Sequence, residues 1–76
     1  MIDRKKFSER LKNLRNQKNV TGVSVARTLG ITPQSFHAWE IGKTVPTSDL
    51  LVALADLFDV SIDYLVGRSD KPKGGN

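Results

Sequence analysis

The feature that most restricts this chain is the stretch across residues 21–43, TGVSVARTLGITPQSFHAWEIGK. Thr21 and Thr32 are helix N-caps by type, since a hydroxyl there can accept a backbone N–H from the first turn. Gly30 between them supplies a left-handed exit for the first helix. Pro33 falls at the first position of the second helix, where a missing N–H costs nothing, and Gly42 ends that helix. The stretch is therefore two short helices hinged at Gly30. The remainder of the fold has to be built by packing more helices around this pair, because no strand pattern, internal repeat or domain boundary appears elsewhere.

The flanking sequence supplies three further helices. Asp3 is a plausible N-cap for the first, which carries Phe7, Leu11 and Leu14 at helical spacing and stops at Asn19. Val25, Ala26 and Leu29 form the inner face of the second. Thr47, just after Pro46, caps the fourth, with Asp49 in the first turn where the helix dipole favours an anion. Leu50, Leu51, Leu54, Ala55 and Phe58 form its apolar stripe. Ser61 caps a short fifth helix with Ile62, Leu65 and Val66, closed by Gly67. None of the four hydroxyl caps has Glu or Gln three residues later, so no full capping box is present. The pattern predicts an all-α bundle of five helices over residues 1–67. Residues 68–76, RSDKPKGGN, are polar and rich in Gly and Pro, and are expected to form a flexible tail or linker.

Several function classes fall away on composition. A chain of 76 residues buries only about 60–65% of its unfolded surface, and without Cys neither a disulfide nor a thiolate metal site can add to its stability. Helix packing must supply that stability, helped where it occurs by self-association. No apolar run approaches the roughly 20 residues that span a bilayer, and MIDRKKF lacks the apolar segment of a secretory signal, so the reading is cytoplasmic. A single His, no Gly-rich phosphate loop and scattered carboxylates provide no catalytic constellation. Asp56, Asp59 and Asp63 are separated by a helix break and read as a solvated acidic surface. No enzyme, metal, cofactor, small-molecule ligand or membrane role is expected.

Charge is unevenly spread. Residues 1–43 hold nine Lys/Arg against three acids, whereas residues 44–67 hold four acids and no base. The asymmetry suits a polyanion approaching the N-terminal half, although a lopsided solvated surface would look the same. The third helix sharpens the choice. Stepping residues 33–41 around at 100° puts Ser35, Phe36, Trp39 and Glu40 on one arc and Pro33, Gln34, His37, Ala38 and Ile41 on the other. Phe36 and Trp39 are the anchors. The opposite arc is small and polar, as a helix lying in a DNA major groove requires.

These residues jointly resemble the Cro/repressor-type helix-turn-helix family, also called the XRE family or lambda-repressor-like domains. The matching features are Arg15, Thr21, Val25-Ala26, Leu29-Gly30-Ile31, Thr32, Phe36, Trp39-Glu40, Gly42, Lys43 and Pro46, with LLVALADLFDVSIDYLVGR similar to the family's fourth and fifth helices. The resemblance covers about Phe7 to Arg68. It implies a compact five-helix domain that inserts its third helix into the major groove of double-stranded DNA, as a homodimer on a palindromic operator. It also implies a regulator of bacterial or phage origin, nucleoid-associated when bound.

The resemblance assigns roles position by position. Gln34 sits where relatives read a base edge, and its amide can pair with adenine N6 and N7. Ala38 matches another base-facing position; it is either a methyl for a thymine methyl or a good helix former on an exposed site. Pro33 is base-proximal but has no N–H to donate, and His37 shares the face as a donor or as a solvated side chain. Lys43, with Thr44, follows the helix where relatives meet phosphate. Ser35 is placed to touch the DNA backbone, and Arg27 either reaches phosphate or is solvated. Arg15 and Glu40 match a structural ion pair joining the first and third helices. Tyr64 and Val66 lie where some relatives dimerise, or else complete the local core.

One departure stands out. Relatives often carry Gln at the start of the second helix, where it clamps a phosphate. Here that position is Gly22, which offers only a backbone N–H, followed by the apolar Val23. The competing function is a protein-interaction module, antitoxin- or antirepressor-like, that retains the fold without specific DNA binding.

Overall fold

Each helix starts behind a short polar residue. In the computed structural model, which describes residues 2–73, the order is α1 (Arg4–Lys18), α2 (Gly22–Leu29), α3 (Pro33–Glu40), α4 (Ser48–Phe58) and α5 (Ile62–Leu65), with no strand among the described residues. Asp3, Thr21, Thr32 and Ser61 each accept a hydrogen bond from the backbone N–H three residues on, satisfying one of the donors a helix start leaves unpaired. Thr47 occupies the same position before α4, but its hydroxyl makes no cap bond. The sequence expectation of a side-chain cap there is corrected to a cap by backbone conformation, with Asp49 in the first turn complementing the dipole.

Helix ends follow the residue types as well. Asn19, Gly30 and Asp59 are left-handed C-caps, at φ 59°, 73° and 56°, a region open to Gly and tolerated by Asn and Asp. Gly67 has a second reason to be glycine. Its φ is +89°, and a Cβ there would lie 2.9 Å from the Cβ of Asp3. The Asp3 N–H donates to the Val66 carbonyl at 3.0 Å, so the exit of α5 is closed against the start of α1.

The apolar stripes converge on one core of Phe7, Leu11, Val25, Ala26, Phe36, Trp39, Leu54, Ala55, Phe58 and Leu65. Each large side chain buried in it contributes about 1.5–3 kcal/mol. Leu14, Leu29, Leu50 and Leu51 are half-buried around it. α2 and α3 pack on each other, and α1 lies against α3, α4 and α5. Ile62 departs from expectation. It is 41% exposed, because α5 is a single turn and only Leu65 and Val66 point inward.

The tail departs further. Arg10 lies over the Tyr64 ring, 4.2 Å from its centroid. Its Nη1 donates to the carbonyls of Tyr64 at 2.5 Å and Ser69 at 2.7 Å, and its Nη2 pairs with Asp70 at 2.8 Å. The Ser61 N–H donates to the Pro72 carbonyl at 2.7 Å. Lys73 donates to the Asp59 carbonyl at 3.0 Å and pairs with its carboxylate. The hydrogen bond and charge of Lys73, with Lys18 adding to them, hold the Asp59 carboxyl below its ordinary pKa. Residues 68–73, expected to be a loose tail, are thus tied to the bundle; residues 74–76 of that tail lie outside the described residues. Polar composition hid this because the ties run to backbone carbonyls, one distant arginine and the Asp59 carboxylate.

Candidate nucleic-acid interface

α3 is fixed from behind. Phe36 and Trp39 are 2% and 4% exposed, and their rings meet edge to face with centroids 6.0 Å apart. At the helix start the Thr32 hydroxyl accepts the Ser35 N–H at 3.1 Å and donates to the Ser35 Oγ at 3.0 Å. Ser35 keeps its own hydroxyl hydrogen for an outside acceptor. Pro33, Gln34, Ser35 and His37 are exposed and Ala38 is half-buried, so Ser35 stands outside the core, next to its anchors.

The turn after α3 folds back on it. The N–H groups of Lys43 and Thr44 both donate to the Ala38 carbonyl, at 2.9 and 3.3 Å. That bond pair sets Lys43 and Thr44 beside Ala38 and opens a groove of about 450 Å³ lined by Gln34, Ser35, Ala38, Trp39, Lys43, Thr44, Val45, Pro46 and Thr47. Five of the nine residues expected to meet DNA therefore share one open groove. Val45, Pro46 and Thr47 complete it with Trp39; of the three, the sequence gives Thr47 a role as a cap and Pro46 a place in the family resemblance, neither at this surface.

Pro33, His37 and Gly22 stand on the other flank of α3. With Val23, Thr21, Phe36, Arg15 and Glu40 they line a second hollow of about 370 Å³. Gly22 is needed there for close approach: a Cβ would lie 3.1 Å from Phe36 Cδ2 and 3.3 Å from Cε2. Val23 is exposed beside it. Arg27 is exposed on α2 and lines neither hollow.

Arg15 closes the floor of this flank. Its Nε donates to Glu40 Oε2 at 2.6 Å and its Nη2 to Oε1 at 3.3 Å, while Nη1 donates to the Val20 carbonyl at 3.1 Å. One guanidinium so ties α1 and the α1–α2 turn to α3. A two-bond fork of this kind fixes orientation as well as distance. Of the two roles the sequence leaves open for Val66, its 7% exposure fits completion of the chain's own core. Tyr64 is half-buried beneath Arg10. No cluster of three His, Cys, Asp or Glu able to hold a metal ion occurs among the described residues.

Two helices hinged at a left-handed glycine, the second anchored by aromatics and free on its far side, define a helix-turn-helix domain. The sequence model of the helix-turn-helix family matches residues 11–65, and the chain belongs to that family. It is 42% identical over 66 residues to the uncharacterized HTH-type transcriptional regulator YqaE of Bacillus subtilis, covering 86% of this chain and 57% of the relative. It is 41% identical over 63 residues to the cryptic phage CTXphi transcriptional repressor RstR of Vibrio cholerae, covering 83% of this chain and 56% of the relative. The chain thus spans a little over half the length of these relatives. Its fold is similar to the solution structure of the SOS-response transcriptional repressor LexA from Eubacterium rectale, with a TM-score of 0.79 and 29% identity over 96% of this chain and 73% of that one.

Proposed function

We propose that this chain is a sequence-specific double-stranded DNA-binding domain of a transcriptional repressor, with α3 lying in the major groove of the operator. The observation that carries the reading is the groove in which exposed Gln34, half-buried Ala38 and Lys43 stand together in front of buried Phe36 and Trp39. Gln34 reads a base edge, a contact worth about 1–3 kcal/mol of discrimination. Ala38 offers its methyl beside it; Lys43 neutralises a phosphate, and the Thr44 and Ser35 hydroxyls donate to phosphate oxygens. Pro33, His37 and the Gly22 N–H meet the opposite groove wall, and Arg27 adds only general attraction. Similarity to a phage repressor and to LexA supports the repressor assignment.

The domain acts as a homodimer in the cytoplasm, on two half-sites about 34 Å apart. The apolar surface that α5 offers a second copy is exposed Ile62 together with Tyr64, in place of Val66. Selection of bound sequences from a random duplex pool tests the whole reading. The expected result is an enriched inverted repeat whose preference relaxes at one position of each half-site in Gln34→Ala. Absence of enrichment at low salt would overturn it in favour of an interaction module.

A further inference from the structure

The first turn of α1 contains Arg4, Lys5 and Lys6 and no acid. This runs against a local rule, since the positive end of a helix dipole disfavours each cation placed there. Departures from local preference of this sort gather at functional sites. Lys6 is committed elsewhere: its Cβ and Cδ lie 3.1 and 3.2 Å from the position a Cβ on Gly67 would take. Arg4 turns toward α3. Its Nη1 donates to the Lys43 carbonyl at 3.3 Å.

The packing of α1 explains this meeting. Ser8, one turn on from Arg4, sits under Gly42, its Oγ 3.7 Å from where a Cβ would stand. Arg15, two further turns along, holds Glu40. The stripe of residues 4, 8 and 15 therefore follows the end of α3 into its exit turn, and delivers the Arg4 guanidinium to the backbone of Lys43. One hydrogen bond engages one of its five N–H donors, and both residues are exposed. Neither has a carboxylate partner among the described residues. Two cationic residues without an ion-pair partner among the described residues therefore adjoin beside the groove lined by Lys43.

We infer that Arg4 is a second DNA-phosphate ligand, which with Lys43 grips the backbone at the exit end of α3. The planar guanidinium is suited to a phosphate, whose oxygens can take two of its N–H groups at once. The inference rests on the proposed role of the α3 groove and extends the DNA footprint from the helix-turn-helix onto the start of α1.

The test is the salt dependence of binding to the pool-selected duplex and to a random duplex, for wild type, Arg4→Ala, Arg4→Glu and Arg68→Ala. Arg68→Ala loses the same charge from the tail. Removing one phosphate contact should flatten the slope of log K against log salt by about 0.9. Between 50 and 200 mM salt, Arg4→Ala should then lose about 3- to 4-fold less affinity than wild type, on both duplexes alike. Arg4→Glu should bind more weakly still. Its thermal midpoint should hold or rise, because an acid in the first turn suits the dipole; affinity and stability then move in opposite directions, which a merely structural arginine would not produce. Arg4→Ala with the slope and affinity of wild type or of Arg68→Ala overturns the inference while leaving the α3 reading intact. Wild type without salt-dependent duplex binding removes that reading and this inference together.

Discussion

Breaking the Arg15–Glu40 pair should be the most damaging single change outside the apolar core. The two side chains are 21% and 10% exposed and meet at 2.6 Å, closer to a buried pair than to a surface one. Losing one partner of a buried pair costs about 3–5 kcal/mol, whereas an exposed pair is worth about 0–1 kcal/mol. The stranded groups differ. Arg15→Ala leaves the less exposed Glu40 carboxylate alone and also frees the Val20 carbonyl, so we expect a loss of about 3 kcal/mol. Glu40→Ala leaves Arg15 with more solvent and its Val20 bond, for a loss of about 2 kcal/mol. Either is a large share of the roughly 4–11 kcal/mol that a domain of this size commands. At about 4–8 °C per kcal/mol, Arg15→Ala should melt about 12–24 °C early.

Urea denaturation followed by the fluorescence of Trp39, the sole tryptophan, measures both singles and the double variant. The double should cost less than the sum by about 1.5–2.5 kcal/mol, since it removes the stranded charge. Salt at 1 M should change this coupling little, because partly buried pairs are weakly screened. A coupling below about 0.5 kcal/mol, in the range of exposed pairs, would refute the view that this pair sets α3 on α1.

Two further outcomes follow. Gly22→Ala gains helix propensity, worth about 0.5–1 kcal/mol in a helix interior, but drives a Cβ to 3.1 Å from Phe36; crowding a ring already locked against Trp39 should win, leaving the variant about 1 kcal/mol less stable, and a more stable variant in the same urea assay would contradict it. Lys73→Ala should let the Asp59 pKa rise toward its ordinary value, read by NMR titration of the side-chain carboxyl. The Asp59 pKa is lowered in the folded chain, so the pair's support is complete above the unfolded pKa and disappears as pH falls through the folded one; an unchanged titration would show that Lys73 is not its partner.

Much of this molecule is legible from residue types. The caps and left-handed exits are local chemistry, and the burial of Phe36 and Trp39 follows from their places on one arc. The sequence puts Pro33, Gln34, His37 and Ala38 on one arc, and the structure divides them between two hollows, Gln34 with Ala38 and Pro33 with His37, each pair spaced four apart along one row of the helix surface. Three things were not legible. A single-turn α5 gives too few residues to define a face, so the exposure of Ile62 and the burial of Val66 could not be read from it. The hold on residues 68–73 joins the Ser61 and Asp59 ties to Arg10, more than fifty residues away in sequence. Arg4 looked like one base among many until packing carried it to the end of α3. Long-range pairings of this kind leave no periodic trace.

The fastening of residues 68–73 also decides the direction of departure for anything attached after Lys73. Held at Asp59, a graft begins at the far end of α4 from Thr47, and the 11 residues of that helix put about 18 Å between the two caps. A fluorescent label or a bulky fusion joined there would start clear of the groove, and severing the Arg10 bonds would give it a longer leash.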